Sequence, residues 1–398
     1  MSLELNKLTN QVEAMGQTLA KRRTERDQDV EDARARLNAN PNVTDELRAK
    51  IEQASQSDEW RRGASPLTDS LNERHRPAVA HRPATLIAAD GSQVYPDRHG
   101  IALYYLLNTG SIVLRQGSGE APVTATRPEV FFDEPDLYDD GGRLHDSDYI
   151  NGQRDRREIE TLADLAEAER AALGGDLSRP IVTLTDGPLL LWASRAVNER
   201  EVAREIHHFT AQLDRMKRAR VVPFGYIDRP GSAYILRILE LVGLPIEEIT
   251  RESLRAGAFR YLTDRQLFDD LDPNERTGLF FPASEVSERY AQAGHRIVFF
   301  YMNVAPPGDK HPTIVRVEVP EWVMEIPDAL DRAQQAVYAD CKLTGYPYVL
   351  ARAHELAVVG AAERADLEGM ITQFMLRNGL MPQMSAKAWE KTMTRAGS

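Results

Sequence analysis

Two short apolar runs, each followed by an Asp-Gly pair, constrain the fold of this 398-residue chain more than any other feature of its sequence. The run ATLIAA leads into Asp90 and the run IVTLT leads into Asp186, and runs of this kind predict buried strands. A single Asp-Gly pair after such a run most often marks a turn. Two of them, separated by a hairpin and a helix, are expected to lie side by side on neighbouring central strands. Because two carboxylates at that distance repel each other, the pattern favours a Mg²⁺ or Mn²⁺ site.

The segments between and after these runs predict the rest of a sheet. The stretch IALYYLLNTGSIVLRQG predicts two strands joined by a turn at Thr109–Gly110. Residues 154–173 predict an amphipathic helix, whereas the acidic, aperiodic residues 131–149 predict a surface loop without metal ligands. Helices and strands then alternate along the chain. Three strands followed by this alternation predict an α/β fold, a ribonuclease H-like mixed sheet flanked by helices.

The N-terminal region has a different pattern, which predicts a helical extension. Apolar residues recur in steps of three and four at positions 5, 8, 12, 15 and 19, the spacing of a short coiled coil. This face either pairs with a second chain or packs on its own domain, and the sequence leaves both open. Residues 61–83 are rich in Arg and Pro and predict a connector. We therefore expect one region over residues 1–83 and the main domain over residues 84–398.

Charge and cysteine content exclude several classes of protein. Cys341 is the only cysteine, so neither an intrachain disulfide nor a thiolate zinc site is expected. Neither a signal peptide nor a membrane span is expected, which predicts a cytoplasmic protein. A net charge of −12 repels nucleic acid at long range. If the chain acts on DNA, we expect a local basic surface or a partner that delivers the DNA.

Four motifs in sequence order carry a resemblance to a known family. AADGSQ, TDGPLLLW, FGYIDRPGSAYIL and GYPYVLARAHELAVV together resemble the NurA nucleases over residues 84–360. The resemblance implies a Mn²⁺-dependent nuclease, with Mg²⁺ as a further candidate ion, and a 5′-to-3′ exonuclease with single-strand endonuclease activity on a ribonuclease H-like core. It also implies a homodimer that acts with a hexameric HerA-type ATPase translocase in DNA end resection and repair.

The resemblance also implies a set of catalytic and metal-binding residues. Asp90 and Asp186 match the metal-binding aspartates of the family, and His354 matches a late active-site position, where it is either a metal ligand or an acid. From the residues alone, His354 on a largely apolar helix face is more typical of a buried core histidine. The family also has an acidic residue on the helix before the second aspartate, and the start of that helix offers Glu158 and Glu160.

Candidate DNA contacts lie outside this acidic set. Arg229 and Ser232 occupy a turn between a strand and a helix, where they predict either a phosphate contact or, for Ser232, an ordinary helix cap. Ser92, beside the first Asp-Gly pair, is a further candidate. Tyr346 either stacks on a base or packs in the protein interior.

If two metal ions are bound, in-line displacement at phosphorus is expected, with Asp90 bridging them. Two other functions are also considered. One is an ATP phosphotransferase of the actin and sugar-kinase type, but its late glycine pair is missing, since the Gly-Gly pairs lie at 141–142 and 174–175. The other is a non-catalytic coupling protein for a DNA motor, which the presence of Asp90, Asp186 and His354 argues against.

Overall fold

A computed structural model describes residues 4–57, 63–78, 82–190 and 199–380. The strands are β1 (Ala64–Pro66), β2 (Arg74–His75), β3 (Thr85–Val94), β4 (Tyr105–Arg115), β5 (Val123–Phe131), β6 (Ile181–Asp186), β7 (Val222–Ile227), β8 (Arg276–Thr277), β9 (Phe280–Pro282), β10 (Ile297–Asn303) and β11 (Ile314–Pro320).

The α-helices are α1 (Thr9–Ala39), α2 (Asp45–Ser57), α3 (Glu134–Leu137), α4 (Ser147–Ala172), α5 (Glu199–Arg218), α6 (Tyr234–Val242), α7 (Arg251–Arg255), α8 (Asp264–Leu267), α9 (Glu285–Gln292), α10 (Ala329–Cys341), α11 (Tyr348–Ala357) and α12 (Ala361–Arg377). None of the helices in the described ranges is long and apolar enough to cross a membrane.

The chain forms two compact units that do not follow its linear order. The first unit contains residues 1–80, 187–190 and 225–345. The second unit contains residues 81–186, 191–224 and 346–398.

Within the second unit, the strand order is β6-β3-β4-β5. Strands β3, β4 and β5 are antiparallel neighbours, and β6 is parallel to β3. Helices α4 and α11 both pack on β3. Three antiparallel strands followed by a parallel one confirm the predicted ribonuclease H-like mixed sheet with flanking helices, and α1 confirms the N-terminal helix.

The structure corrects the prediction for the second and third strands. The predicted turn at Thr109–Gly110 is wrong, because both residues lie within the continuous strand β4. The third strand is instead β5, whose side chains are mostly exposed and which carries Arg127 and Pro128. Such a strand lacks the alternation of apolar and polar residues that sequence patterns detect. The segment predicted as a loop contains the short helix α3 and the first turn of α4, which Asp146 caps.

The first unit is built on an antiparallel sheet with an apolar core. Strands β10 and β11 pair over seven residues, from Ile297 opposite Pro320 to Asn303 opposite Ile314. Helices α1, α2, α6 and α8 contribute side chains to a core that also includes Phe280, Phe299 and Tyr301. Burial of this apolar surface stabilises the unit.

The N-terminal part of α1 does not contribute to that core. Burial along α1 begins at Val30, whereas Leu5, Val12, Met15 and Leu19 are each at least half exposed. The alternative that this apolar face packs on its own domain is therefore wrong. Its pairing with a second chain stays a prediction.

Asp264 links a helix start to the core of the first unit. Its carboxylate accepts hydrogen bonds from the backbone N–H groups of Ile235 and Leu236 and from the Tyr301 hydroxyl. These two N–H groups belong to the first turn of α6, which has no partner within its own helix. The side chain is fully buried, and this desolvation raises the pKa of Asp264 to about 6.

Replacing Asp264 with Ala is expected to lower the free energy of unfolding by roughly 2–4 kcal/mol, because buried donors lose their acceptor. Asp269→Ala is the matched control. Asp269 lies at the surface in an ion pair with Arg34, and its loss should cost less than about 1 kcal/mol. Urea unfolding of both variants measures the difference, and equal losses would contradict this role of Asp264.

The stabilisation from Asp264 should also depend on pH. A carboxylate whose pKa is higher in the folded state contributes most below its unfolded value and loses that contribution as pH rises through about 6. The cost of Asp264→Ala should therefore be smaller at pH 8 than at pH 5, by roughly 1 kcal/mol. A larger cost at pH 8 would contradict the raised pKa.

Candidate metal and active site

The register between β3 and β6 brings the two predicted aspartates to neighbouring positions. The parallel pairing ends where Ala88 lies opposite Leu184. Asp90 and Asp186 each follow two residues later, so the register carries both side chains to the same face of the sheet. Strand β6 ends at Asp186, whereas β3 continues to Val94. Asp90 is thus inside its strand, and the chain does not turn at this Asp-Gly pair, although such pairs most often mark turns.

Asp90 makes direct contact with His354. The Oδ2 atom of Asp90 lies 2.7 Å from Nδ1 of His354, and Oδ1 accepts a hydrogen bond of 2.9 Å from the Gly91 N–H. The His354 side chain is 65% exposed, whereas that of Asp90 is only 18% exposed. A buried core histidine is therefore the wrong interpretation of His354.

Helix α11 packs closely on β4 because residue 110 is a glycine. A Cβ atom at Gly110 would lie 2.5 Å from the Ala353 carbonyl oxygen and 2.5 Å from the Ala357 nitrogen. Gly110 pairs with Asp90 across the two strands, so its missing side chain leaves room for α11 directly beside Asp90. Glycine is required here for the close approach of a helix backbone to a strand.

Two polar side chains fix the carboxyl end of α11 on the same face. The Asn108 side-chain nitrogen donates to the carbonyls of Leu356 and Ala357, at 3.1 and 2.8 Å. The Ser92 hydroxyl also donates to the Ala357 carbonyl, at 2.5 Å. These bonds satisfy carbonyls that a helix end leaves without partners. They set the position of the helix that carries His354.

Helix α4 approaches Gly91 on β3. A Cβ atom at Gly91 would lie 2.5 Å from Cγ of Arg154 and 2.8 Å from Oε1 of Glu158. The Glu158 side chain is 13% exposed, and its Oε1 lies 3.2 Å from Nε of Arg154. Desolvation raises the pKa of Glu158 well above its usual range, and the charges of Asp155 and Asp90 add to this effect.

The second predicted glutamate lies elsewhere. Oε1 of Glu160 is 3.2 Å from Nε2 of His208 on α5. Desolvation lowers the pKa of His208, so this contact is mainly between a carboxylate and a neutral ring. The structure places Glu158, and not Glu160, beside the Asp90-Gly91 pair.

The available donors fit a hard divalent ion. Carboxylates from β3, β6 and α4 and an imidazole from α11 are ligand types that suit Mg²⁺ and Mn²⁺. The nearly buried Glu158 carboxyl group, whose Oε1 lies 2.8 Å from where a Cβ atom of Gly91 would be, approaches the strand one residue from Asp90, and this geometry supports a cation there. Within the described residues, no three His, Cys, Asp or Glu side chains already form a group that would hold an ion.

The predicted DNA contacts are scattered. Ser92 is engaged with α11 as described, and the Ser232 hydroxyl lies 2.9 Å from the Tyr301 hydroxyl. Ser232 is not the cap of α6, since the capping position is Ala233 and has no side-chain bond. Arg229 belongs to the first unit, has a φ of 44° and exposes 82% of its side chain. Tyr346 belongs to the second unit and is partly buried.

Sequence reasoning missed Arg154, Asn108 and the role of Gly110. A glycine inside an apolar run can signal a close backbone approach as well as a turn, and that signal was present at Gly110. Arg154 and Glu158 are four residues apart on a helix, a spacing that predicts an ion pair. Nothing in the sequence indicated that Asn108 binds the end of α11.

Comparison with models of protein families matches residues 84–359 to the NurA domain. Among solved structures, the NurA nuclease from Sulfolobus solfataricus is similar to this chain, with a TM-score of 0.46 and 11% identity over 77% of this chain and 88% of that chain. Endonuclease V from Ciona intestinalis, solved with an inosine-containing DNA, has a TM-score of 0.32 and 14% identity over 80% of this chain and 98% of that chain. A search of curated proteins found no match.

Substituting Gly110 with Ala is expected to push α11 away from β4, because the atoms in the way are backbone atoms. The free energy of unfolding should fall by roughly 1–3 kcal/mol. Gly152→Ala is the matched control, since a Cβ at this helical position meets nothing within 4 Å. That variant should gain up to about 1 kcal/mol. Thermal unfolding distinguishes them, and an unchanged Gly110→Ala protein would contradict the close approach.

Proposed function

The chain belongs to the NurA family, and we propose that it is a metal-dependent DNA nuclease whose reaction centre is built around Asp90. As a family member it is a hydrolase that acts on DNA. The observation that carries the finer proposal is the 2.7 Å contact between Asp90 and His354, at the point where the strand register also brings Asp186 next to Asp90. The family match favours this function over the phosphotransferase and the coupling protein.

Asp90, Asp186 and Glu158 are the proposed metal-binding residues, with His354 beside them. When bound, a pair of Mn²⁺ or Mg²⁺ ions supplies an activated water and stabilises the leaving oxygen. Asp90, which contacts His354 and precedes Gly91 on the strand beside β6, would be the central ligand of this set. Glu160 is the glutamate that was predicted to bind metal, with Glu158 as a further catalytic candidate. The contact of Glu160 with His208 leaves it out of this proposal, and Glu158 takes its place.

His354 is proposed to move a proton at the reacting phosphate. When its Nδ1–H donates to Asp90, the other ring nitrogen, Nε2, is the basic one. The ring is largely exposed, so a proton can reach Nε2 from the solvent side. Asp90 thus orients the imidazole in addition to its proposed role with metal, as carboxylates commonly do for histidines in such sites.

The proposed substrate handling rests on charge. Arg229, exposed in its turn, is a candidate phosphate contact, whereas the hydroxyls of Ser92 and Ser232 are already engaged within the protein. A chain of net charge −12 gains little from long-range attraction to DNA. We therefore infer that the chain receives DNA from a HerA-type hexameric translocase. With the family assignment, we also propose that it acts as a homodimer in end resection and repair. Its proposed activities are those of a 5′-to-3′ exonuclease and a single-strand endonuclease.

Asp90→Asn and Glu158→Gln should each reduce Mn²⁺-dependent cleavage of labelled linear DNA by at least about a hundredfold, because each removes a proposed metal ligand. Glu160→Gln, on the same helix as Glu158, is the matched control and should stay within about threefold of the wild type. Chelation with EDTA should abolish cleavage by the wild type. Loss of activity in Glu160→Gln but not in Glu158→Gln would show that the wrong glutamate was assigned.

The partner proposal has a separate test. The chain should co-sediment with a purified hexameric HerA-type translocase, and ATP hydrolysis by that motor should increase DNA degradation. Processive digestion by the isolated chain as a monomer, with no gain from the motor, would contradict the proposal while leaving the nuclease assignment intact.

A further inference from the structure

Arg154 is a cationic side chain among the acids of the candidate site. Its guanidinium lies 3.2 Å from Glu158 through Nε and 2.7 Å from Oδ1 of Asp155 through Nη2. Its Nη1 also donates to Oε1 of Gln93, at 3.3 Å. Desolvation opposes the charge, but Glu158, Asp155 and Asp90 outweigh it and raise the pKa of Arg154. The guanidinium therefore compensates the negative charge that the proposed metal would also compensate.

The backbone of β3 holds this arginine close to the site. The Cγ atom of Arg154 lies where a Cβ atom of residue 91 would clash with it, so only glycine admits the aliphatic stem against the strand. The stem runs across the strand one residue from Asp90. Because the guanidinium contacts Glu158 directly, it lies next to any ion that Glu158 would bind.

Two positive charges of this kind oppose each other. In an environment with an effective dielectric constant of about 20, a unit charge and a divalent ion that are several ångströms apart repel each other appreciably. A carboxylate oxygen engaged with a guanidinium is also less available to a metal. Glu158 is the group that both cations need.

We propose that Arg154 is the internal counter-cation of the metal site, which stabilises the metal-free protein and competes with the divalent ion for Glu158. This inference rests on the proposed metal site described above. Binding of the ion would take Glu158 away from Arg154, and Asp155 and Gln93, which already accept hydrogen bonds from the guanidinium, would hold it at the edge of the site. Arg154 thereby lowers the affinity for the metal and stabilises the folded site when no metal is bound.

The test measures Mn²⁺ binding directly, by the electron paramagnetic resonance signal of free Mn²⁺, and does not depend on cleavage. Arg154→Met removes the charge and keeps an aliphatic stem. Its dissociation constant for Mn²⁺ is expected to be roughly tenfold lower than that of the wild type. In EDTA its melting temperature should be lower, and saturating Mn²⁺ should raise it more than in the wild type, as linkage requires.

Arg156→Met is the matched control. Arg156 lies on the same helix, its side chain is 27% exposed like that of Arg154, and it pairs with Glu205 of α5. Its removal changes the net charge equally and should leave Mn²⁺ affinity within about twofold of the wild type. Arg154→Gln serves as a second neutral variant if Arg154→Met does not fold, since glutamine can still donate to Asp155.

The possible results separate the inference from the function it rests on. Tighter Mn²⁺ binding in the Arg154 variants, but not in Arg156→Met, supports the inference. Unchanged or weaker binding in the Arg154 variants, with normal binding by the wild type, overturns it and leaves the metal site standing. Absence of Mn²⁺ binding by all proteins, the wild type included, rejects the metal site and this inference with it.

Discussion

The second unit depends on two positions where a side chain would not fit. Gly110 on β4 admits the backbone of α11, and Gly91 on β3 admits the side chains of α4. The two helices carry His354, which contacts Asp90, and Glu158, which lies against the neighbouring Gly91. Because close packing leaves no spare volume in a protein interior, these two missing side chains decide how near the helices come. The strands carry the aspartates, and the two glycines set how closely α4 and α11 approach those strands.

Much of the fold could be predicted from the sequence, and the failures have two physical causes. The apolar runs that end at Asp90 and Asp186 correctly predict β3 and β6, because buried strands need such runs. Gly91 and Gly110 were interpreted as turn residues, since a glycine in a short sequence window is ambiguous between a turn and a close contact. Only the tertiary partner distinguishes the two, and that partner is more than 200 residues away for Gly110. The outer strand β5 was missed because it buries almost nothing.

The candidate site was predictable in part for a similar reason. The parallel register follows from strand pairing, so the neighbourhood of Asp90 and Asp186 could be expected from two local patterns. The choice between Glu158 and Glu160 could not be predicted. Side chains two positions apart on a helix point about 200° apart, and the sequence does not say which of them faces the sheet. The structure resolves it through contacts, with Gly91 for Glu158 and with His208 for Glu160. Arg154 becomes visible only once that face is known.

The outer strand of the second unit has a consequence for how copies of this protein meet. An uncovered strand edge is a template on which other chains can add strands and aggregate. On β5, Pro128 lacks an N–H group, and Arg127 pairs with Glu129 at 2.9 Å. These residues make the edge a poor template, since charge and a missing donor both discourage backbone pairing. The chain can therefore expose a nine-residue strand to solvent without inviting fibrous assembly.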